Sequence, residues 1–598
     1  MEKENREQPE AAPLDADIVC TGFGPATAGF LWTLTRGLQQ PEMAAVESKA
    51  MPGLPPQVLC YERADDISFG VSGVVTRARA IRASIPDLDP AAIPLAARVS
   101  EEKLIYLLDP HGATRRPAWM RLADQLCRAF SFLLRVEHEG LALPWVPAFL
   151  HKGDGFIFSL GQFLQWTGQQ VMMTGLAQVW PGTPVAAPLI RDGRVEGVRL
   201  ASDGSEVRAA LTVVGDGPVG AVGRQLDEAF GMPSGRRRDE WAVGMKMVVD
   251  LPERCTLREG TVWHTIGYPE PEIFGFLYVH PDRIASVGIF VPSWMDSPVR
   301  TSYRYLQHFV RHPYLWRHLE GGRLRSWGAK SLLESGRRGE PYLAGDGYAR
   351  IGECSGSTNV LTGSGVDEAW LTGVQLAEAV LELLAESKPF TRENLEARYV
   401  ARRRASWLER ESQVAEKARN GFQWGLLPGF AGMALAGLTG GRLAWPRRRE
   451  ERGIRRIEEY YAGRLSRSQI ERARAAAEAE GRPLHDVLMD LCGWPKIEYD
   501  GRLLVSHQDA LLMGGKVQAP AEFPDHVVFR SPALCRSCET RLCIEICSGE
   551  AIHAVAGGDG TPGFDREKCV HCGACLWNCP AGNIEFCAAP GGLHSAEN

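Results

Sequence analysis

At 598 residues the chain exceeds what one hydrophobic core organises, and about three or four domains are expected. With 44% hydrophobic and 23% charged residues it is composed like an ordinary globular protein, not a fibrous or disordered one. A formal net charge of −6 lacks the basic footprint of a nucleic-acid binder, so no nucleic-acid partner is expected.

The opening MEKENREQPEAAP is acidic and contains Pro, unlike a secretory signal or a transit peptide, and residues 1–14 read as a disordered tail. Residues 17–37, DIVCTGFGPATAGFLWTLTRG, follow as an apolar strand, a glycine turn and an apolar helix, the first unit of a nucleotide-binding βαβ fold. Within it, Gly22-x-Gly24-x-x-Thr27 resembles a dinucleotide fingerprint. Gly22 permits the tight turn, and Gly24 lets the backbone approach a pyrophosphate at the helix N-terminus. Thr27 occupies the third glycine's place and is expected to push the helix slightly off its strand. The second strand, Gln57–Tyr61, ends in Glu62, the expected ribose-hydroxyl acceptor, delayed by a Pro-rich insert at 41–56.

Two later strand-plus-glycine segments, LTVVGDGPVG (211–220) and YARIGECSGSTNVLTGSGVDEAW (348–370), read as further pieces of the same sheet. The second offers a late turn that could close over a pteridine ring and ribityl chain, and with Gly22, Gly24 and Glu62 it points to FAD. Alternating runs over 240–335, such as WAVGMKMVVDL and IASVGIFV, suggest an antiparallel sheet covering the site. The expected division is a tail at 1–14, an FAD-binding domain at 15–240 with an insert at 107–152, and an antiparallel-sheet quinone or substrate domain at 241–340. The rest of the FAD-binding domain follows at 341–390, then a helical region at 391–482, a linker at 483–530 and a 4Fe–4S module at 531–590.

Two stretches bear on membranes. Gly421–Gly441 has 21 residues without a charge, enough to span a bilayer if helical. Its six Leu and Phe residues are worth only about −3 kcal/mol on an insertion scale, and seven glycines, Pro428 and Gln423 offset much of that. With the basic flank at 447–449, the segment 421–446 reads as a loop-helix dipping into one leaflet. Residues 115–135 place Trp119, Leu122, Leu126, Phe130 and Leu133 on one helical face, with Arg115, Arg116, Arg121, Arg128 and Arg135 outside it. That stripe suits either a core-facing helix or a membrane contact.

Of 15 cysteines, nine fall between Cys535 and Cys587, while Cys20, Cys60, Cys127, Cys255, Cys354 and Cys492 are scattered among apolar neighbours as small buried hydrophobes. The later half-motif is Cys569-x2-Cys572-x2-Cys575-x3-Cys579-Pro580, the bacterial ferredoxin run, in which the fourth thiolate reaches the other cluster. The earlier one is Cys535-x2-Cys538-x4-Cys543-x3-Cys547, with Ser548 where a proline is usual. Crossing the fourth ligands gives two sets, Cys535, Cys538, Cys543 and Cys579, and Cys547, Cys569, Cys572 and Cys575. Zinc, which favours paired C-x2-C knuckles, fits this spacing poorly. Two 4Fe–4S clusters are expected, at least one in any case. Cys587 is left over as a packed thiol, and His264 reads either as a neighbour of the flavin or as a satisfied core histidine.

The order of these features resembles the electron-transfer flavoprotein–ubiquinone oxidoreductase family over nearly the whole chain. The likeness is carried by DIVCTGFGPATAG, GDGFIFSLGQFLQW (153–166, read as a strand), VWHTIGYPEPEIFGFLYVH (262–280), RHPYLWRHLEGGRLRSWGAKSLLESGRRG (311–339), IGECSGSTNVLTGSGVDEA and CVHCGAC. The resemblance implies an α/β plus α+β fold: a Rossmann-like, glutathione-reductase-like FAD domain, an antiparallel-sheet domain and a C-terminal bacterial-ferredoxin-like module. It implies that Gly22, Gly24, Glu62, Gly73, Gly352, Glu353, Gly363 and Gly365 line FAD. It also implies that Cys547, Cys569, Cys572 and Cys575 hold a 4Fe–4S cluster. The expected partners are reduced electron-transfer flavoprotein or a similar flavoprotein or ferredoxin donor, membrane quinone and a membrane surface. The expected location is the cytoplasmic face of a bacterial inner membrane, peripheral and not spanning. The typical member has no counterparts of Cys535, Cys538 and Cys543 and no cysteine at the position of Cys579. Two other activities share these features: a geranylgeranyl-reductase-like flavoenzyme acting on isoprenoid lipids, and a non-catalytic iron–sulfur wiring subunit.

Overall fold

The run Ala16–Thr21 is buried at every position, as a strand in the middle of a parallel sheet must be. In a computed structural model, which describes residues 14–67, 73–293, 303–359, 361–363, 365–451, 456–513, 523–555 and 557–589, this strand lies between Glu206–Val214 and Val58–Tyr61, parallel to both. The expected tail lies outside the described residues, Leu14 excepted. Ala177–Trp180 and Tyr348–Arg350 extend the sheet on either side, also in parallel. The Pro-rich insert is tied to the sheet by one buried carboxylate. Asp17 accepts the Ser48 hydroxyl at 2.6 Å and the backbone N–H groups of Lys49 and Gln57 at 2.6 and 2.9 Å.

The helix Pro25–Leu38, opened by a proline where no backbone donor is needed, crosses the long helix Val366–Ala385 at close range. A Cβ on Gly29 would stand 2.8 Å from the Trp370 carbonyl, and one on Gly373 would collide with the Ala26 carbonyl. The Thr27 hydroxyl lies 2.5 Å from where a Cβ on Gly215 would stand, so the facing strand end carries a glycine opposite Thr27.

The second sheet runs in the order Arg323–Leu333, Trp241–Asp250, Ile284–Pro292, Phe274–Val279, Thr261–Ile266, Glu101–Leu107 and Gly140–Ala142. Neighbours are antiparallel, save that Thr261–Ile266 and Glu101–Leu107 run parallel. Strand alternation divides it cleanly. Val243, Met245, Met247, Leu277, Val287, Ile289 and Trp327 face a core shared with residues 303–319. Gly244, Lys246, Phe276, Tyr278, Phe290, Lys330 and Leu332 face a cavity.

Three expectations change. GDGFIFSLGQFLQW is a three-residue strand, Phe156–Phe158, followed by the helix Leu160–Met172, whose start is capped by Ser159. The expected linker at 483–530 is packed where it is described: Trp494, Leu503, Leu504, Val505 and Ala510 are buried in the second sheet's core. Residues 115–135 form two helices, Ala118–Ala129 and Ser131–Leu134, of whose residues only Met120 and Asp124 are buried. Arg116 is not outside the stripe but buried, paired with Asp124.

The cysteine-rich end forms two small antiparallel pairs, Val527–Phe529 with Ile584–Phe586 and Ile552–His553 with Gly563–Phe564, around short helices. It is locked to the second sheet. The Trp577 and Trp241 rings stack at 6.0 Å, Trp577 Nε1 donates to Ser331 Oγ at 2.9 Å, and the Ser331 N–H donates to the Cys572 carbonyl at 2.8 Å.

Candidate functional site

One cavity of about 810 Å³ lies where the two sheets and the cysteine module meet. Gly22, Gly24, Glu62, Gly73, Gly352, Glu353, Gly363 and Gly365 all line it, brought together from five separate stretches of the chain. Gly22 has φ +82°, and a Cβ there would lie 2.9 Å from the Gly215 carbonyl. Only glycine turns tightly enough here for the strand to hand over to the helix N-terminus. Glu62 is buried, and its carboxylate accepts the Phe23 N–H at 2.6 Å and the Ala64 N–H at 2.9 Å, so it braces the glycine turn from the next strand. Gly73 presents its carbonyl to Lys246 Nζ at 2.7 Å.

These features fit a dinucleotide. The glycine turn leaves open space at Gly24, where a Cβ would meet nothing within 4 Å, at the head of a helix whose exposed N–H groups favour phosphate. Of the charged wall opposite, sequence reasoning named only Glu353. Burial pushes Lys246 down to about 7 and Lys330 down to about 8. Burial lifts Glu353 to about 7, against the opposing pull of the Leu333 N–H and Lys330. Arg63, immediately after Glu62, completes this wall. Of the four charges only Glu353 sits in a motif; strand pairing places Lys246 and Lys330 on the cavity face.

Away from the glycine turn the lining becomes apolar and opens outward through Leu143, Trp145, Phe149, Leu150, Phe274, Phe422, Phe430, Met433 and Ala434. Phe422 belongs to a short 3-10 turn and Phe430, Met433 and Ala434 to the helix Leu426–Leu438, so the uncharged 421–441 stretch forms the cavity mouth. Met120 packs against Phe422 and Leu426, which joins this stretch to the helix Ala118–Ala129. Around the mouth Trp119, Leu122, Leu126, Phe130, Leu133, Trp145, Trp424, Leu427 and Leu438 are exposed, Phe132 to 98%. The stripe at 115–135 therefore faces outward and covers no core. Among the described residues no helix is long and apolar enough to cross a membrane.

On the opposite side His571, Phe586 and Cys587 line the cavity, which puts Cys587 at its wall. The eight motif cysteines fall into two neighbourhoods. Cys543, raised to about 12 by burial, also feels Cys579, Cys538 and Cys535 most strongly. Cys575, likewise raised by burial, feels Cys572, Cys547 and Cys569. Coordination to a metal deprotonates such buried thiols outright. Donors already point at the sulfurs. The N–H groups of Ala551, His571 and Asn583 reach Cys547, Cys569 and Cys579 at 3.2, 3.3 and 3.3 Å. Asn583 Nδ2 reaches Cys535 at 3.1 Å, and Ser548, where the proline was missing, places its hydroxyl 3.3 Å from the Cys572 sulfur. Among the described residues no three His, Cys, Asp or Glu side chains form a site for a single metal ion. The module fits an iron–sulfur group.

A family model described as "ETF-QO, ubiquinone-binding" matches residues 241–332, and one described as "4Fe-4S binding domain" matches 561–584. The chain is 25% identical to the mitochondrial electron transfer flavoprotein-ubiquinone oxidoreductase of Dictyostelium discoideum, covering 98% of this chain and 91% of that protein. It is 23% identical to the electron transfer flavoprotein-ubiquinone oxidoreductase of Pseudomonas aeruginosa, covering 97% of this chain and 98% of that protein. Among solved structures, a geranylgeranyl bacteriochlorophyll reductase-like protein from Thermoplasma acidophilum superposes with a TM-score of 0.50 at 14% identity, over 80% of this chain and all of that one. That likeness concerns the fold alone.

Proposed function

The chain is a member of the electron transfer flavoprotein–ubiquinone oxidoreductase family, and from that premise we propose that it passes electrons from reduced electron-transfer flavoprotein to a membrane quinone. The observation that carries the proposal is the cavity between the two sheets and the cysteine module. It is lined at one end by a nucleotide turn, at one side by the cysteine module, and at its mouth by apolar side chains that continue onto an exposed apolar surface. A quinone with a long apolar tail fits a polar interior joined to such a mouth. The isoprenoid-reductase and wiring-subunit alternatives are not favoured by the family match.

FAD would be held by Gly22, Gly24, Glu62, Gly73, Gly352, Glu353, Gly363 and Gly365, and it supplies the exchange between single-electron and two-electron chemistry. Glu62 is braced by two backbone donors for ribose hydroxyls, Lys246 fixes the Gly73 backbone, and the aromatic mouth excludes water. Cys547, Cys569, Cys572 and Cys575 would hold one 4Fe–4S cluster beside the cavity. Cys535, Cys538, Cys543 and Cys579 would hold a second on the far side of the module, near exposed Leu534 and Val555. Iron and sulfide analysis should return about eight iron atoms per chain, falling to about four in C538S; about four in the wild type would leave a single cluster. The exposed apolar faces of Ala118–Leu134 and Leu426–Leu438 would rest on one leaflet, at the cytoplasmic face of a bacterial inner membrane.

The experiment is anaerobic. Reduced electron-transfer flavoprotein should bleach the flavin band, and a soluble ubiquinone analogue should restore it. A flavin that stays reduced after quinone addition would reject the quinone assignment.

A further inference from the structure

A quinone becomes a quinol only if two protons reach its two oxygens along with two electrons. The apolar mouth around Phe422, Phe430 and Met433 is a poor route for protons, so they must come through a polar wall. One chain of side chains crosses that wall. His264 lines the cavity, and its Nε2 lies 2.8 Å from Glu102 Oε1. The other oxygen of the same carboxylate, Oε2, lies 2.7 Å from His151 Nδ1. The Glu102 side chain is 5% exposed and that of His151 58% exposed, so the three groups run from the cavity through a buried carboxylate to solvent. Glu102 and His151 also line a separate surface recess of about 420 Å³, formed with Pro144, Trp145 and Ala148. The strand Glu101–Leu107 and the 143–151 segment thus form a partition bridged by a hydrogen-bonded imidazole–carboxylate–imidazole chain.

We propose that His151, Glu102 and His264 form a proton-delivery path from solvent to a quinone oxygen in the cavity. The inference rests on the quinone reading above, which supplies the two electrons from the reduced flavin. At rest Glu102 is a carboxylate that accepts His264 Nε2–H; when the imidazole turns, its bare nitrogen faces Glu102 and its N–H faces the cavity. His151, charged from solvent, then gives its Nδ1 proton to Glu102 Oε2. The neutral carboxyl rotates and passes that proton to the bare nitrogen of His264, and the N–H bond on the cavity side breaks as the quinol O–H bond forms, with Glu102 again a carboxylate. This restores the resting arrangement, and a second turn and passage deliver the second proton. The remaining groups facing Glu102 favour its role as an acceptor between two imidazoles. Its Oε2 also accepts the Lys152 N–H at 2.7 Å, and the Tyr278 hydroxyl is held protonated by burial and by the Glu102 charge. Hydrogen bonds from His264 and Lys152 outweigh burial and keep Glu102 ionised at rest. His264 is the candidate donor to substrate; Glu102 and His151 position and refill it.

The test uses FAD-loaded, fully reduced holoprotein mixed anaerobically with a soluble ubiquinone analogue, reading flavin reoxidation and, in weak buffer with a pH indicator, proton uptake. In E102Q both should slow together by about 100-fold, within the range of a lost acid–base step. FAD content, reduction by electron-transfer flavoprotein and the KM for quinone should stay at wild-type values, and E102D should recover part of the rate. H151A, altered at the surface, should slow about tenfold and regain its rate when imidazole is added to the buffer. H151A keeps the test valid if E102Q does not load FAD. Wild-type rates in both variants, with no response to imidazole, would overturn the path while leaving the quinone reading intact. A wild-type protein that reoxidises with no quinone at all would overturn both.

Discussion

Gly22 carries the strictest demand at the nucleotide end, because its left-handed backbone and the Gly215 carbonyl 2.9 Å from any added Cβ act together. G22A should therefore purify with most of its FAD lost, read as the flavin-to-protein absorbance ratio, while keeping its iron. His312 sets a second residue-scale expectation. Its Nε2 donates to the Leu108 carbonyl at 2.9 Å, and its Nδ1 accepts the Tyr314 N–H at 3.2 Å, capping the helix Pro313–Leu319. That arrangement requires the neutral ring, and burial holds its pKa down to about 3 despite the Leu108 carbonyl. An unfolded histidine titrates near 6.5. Between these values the unfolded chain binds a proton that the fold refuses, so this contribution to stability is present above about 6.5 and lost as pH falls toward 3. H312N, which can still cap, should be less stable at pH 7 by about 1 kcal/mol. Its thermal midpoint should fall less steeply than that of the wild type between pH 6.5 and 4. Equal slopes would remove His312 from the acid sensitivity. The cap was hidden in HPYLWRHLEGG, which marks the family but does not say that its first histidine is a helix cap.

Among the elements, the helices Ala118–Ala129 and Leu426–Leu438 matter most, because together they build the mouth and the apolar surface around it. An exposed Leu or Phe gains roughly 1.5–3 kcal/mol on leaving water. The double variant F132S/L438S, which removes side chains exposed to 98% and 88%, should lower flotation with phosphatidylcholine vesicles more than tenfold without changing the flavin spectrum. Unchanged flotation would argue against this face as the membrane contact. The apolar stripe at 115–135 was legible in the sequence, but its direction was not. Periodicity reports that a helix has an apolar face and is silent on whether protein covers it. For the same reason residues 483–530 looked like linker. Their buried side chains, Trp494 and Leu503 to Val505, are too few and too irregularly spaced to signal an element, and only the neighbouring sheet explains their burial.

Across the whole molecule, the glycine turn, Glu62 and the two cysteine half-motifs could be read directly, since each needs particular residue types at fixed local spacing. Glu353 apart, the wall opposite could not. Lys246, Lys330 and His264 lie on strands whose pairing brings them to one cavity from positions up to 84 residues apart (330 against 246), with Glu102 behind His264, as strand register alone decides. His264 lines the cavity and is satisfied by Glu102. On the proposed function, a lipid-borne quinone enters through the apolar mouth and is reduced in this cavity. The most direct measurement is reoxidation of the reduced holoprotein by vesicles that carry ubiquinone-10, compared with the same vesicles without it. Reoxidation only with quinone-loaded vesicles, slowed in F132S/L438S but not when a soluble analogue is supplied, is the predicted result. Equal rates with empty and loaded vesicles, or none with either, would contradict the account.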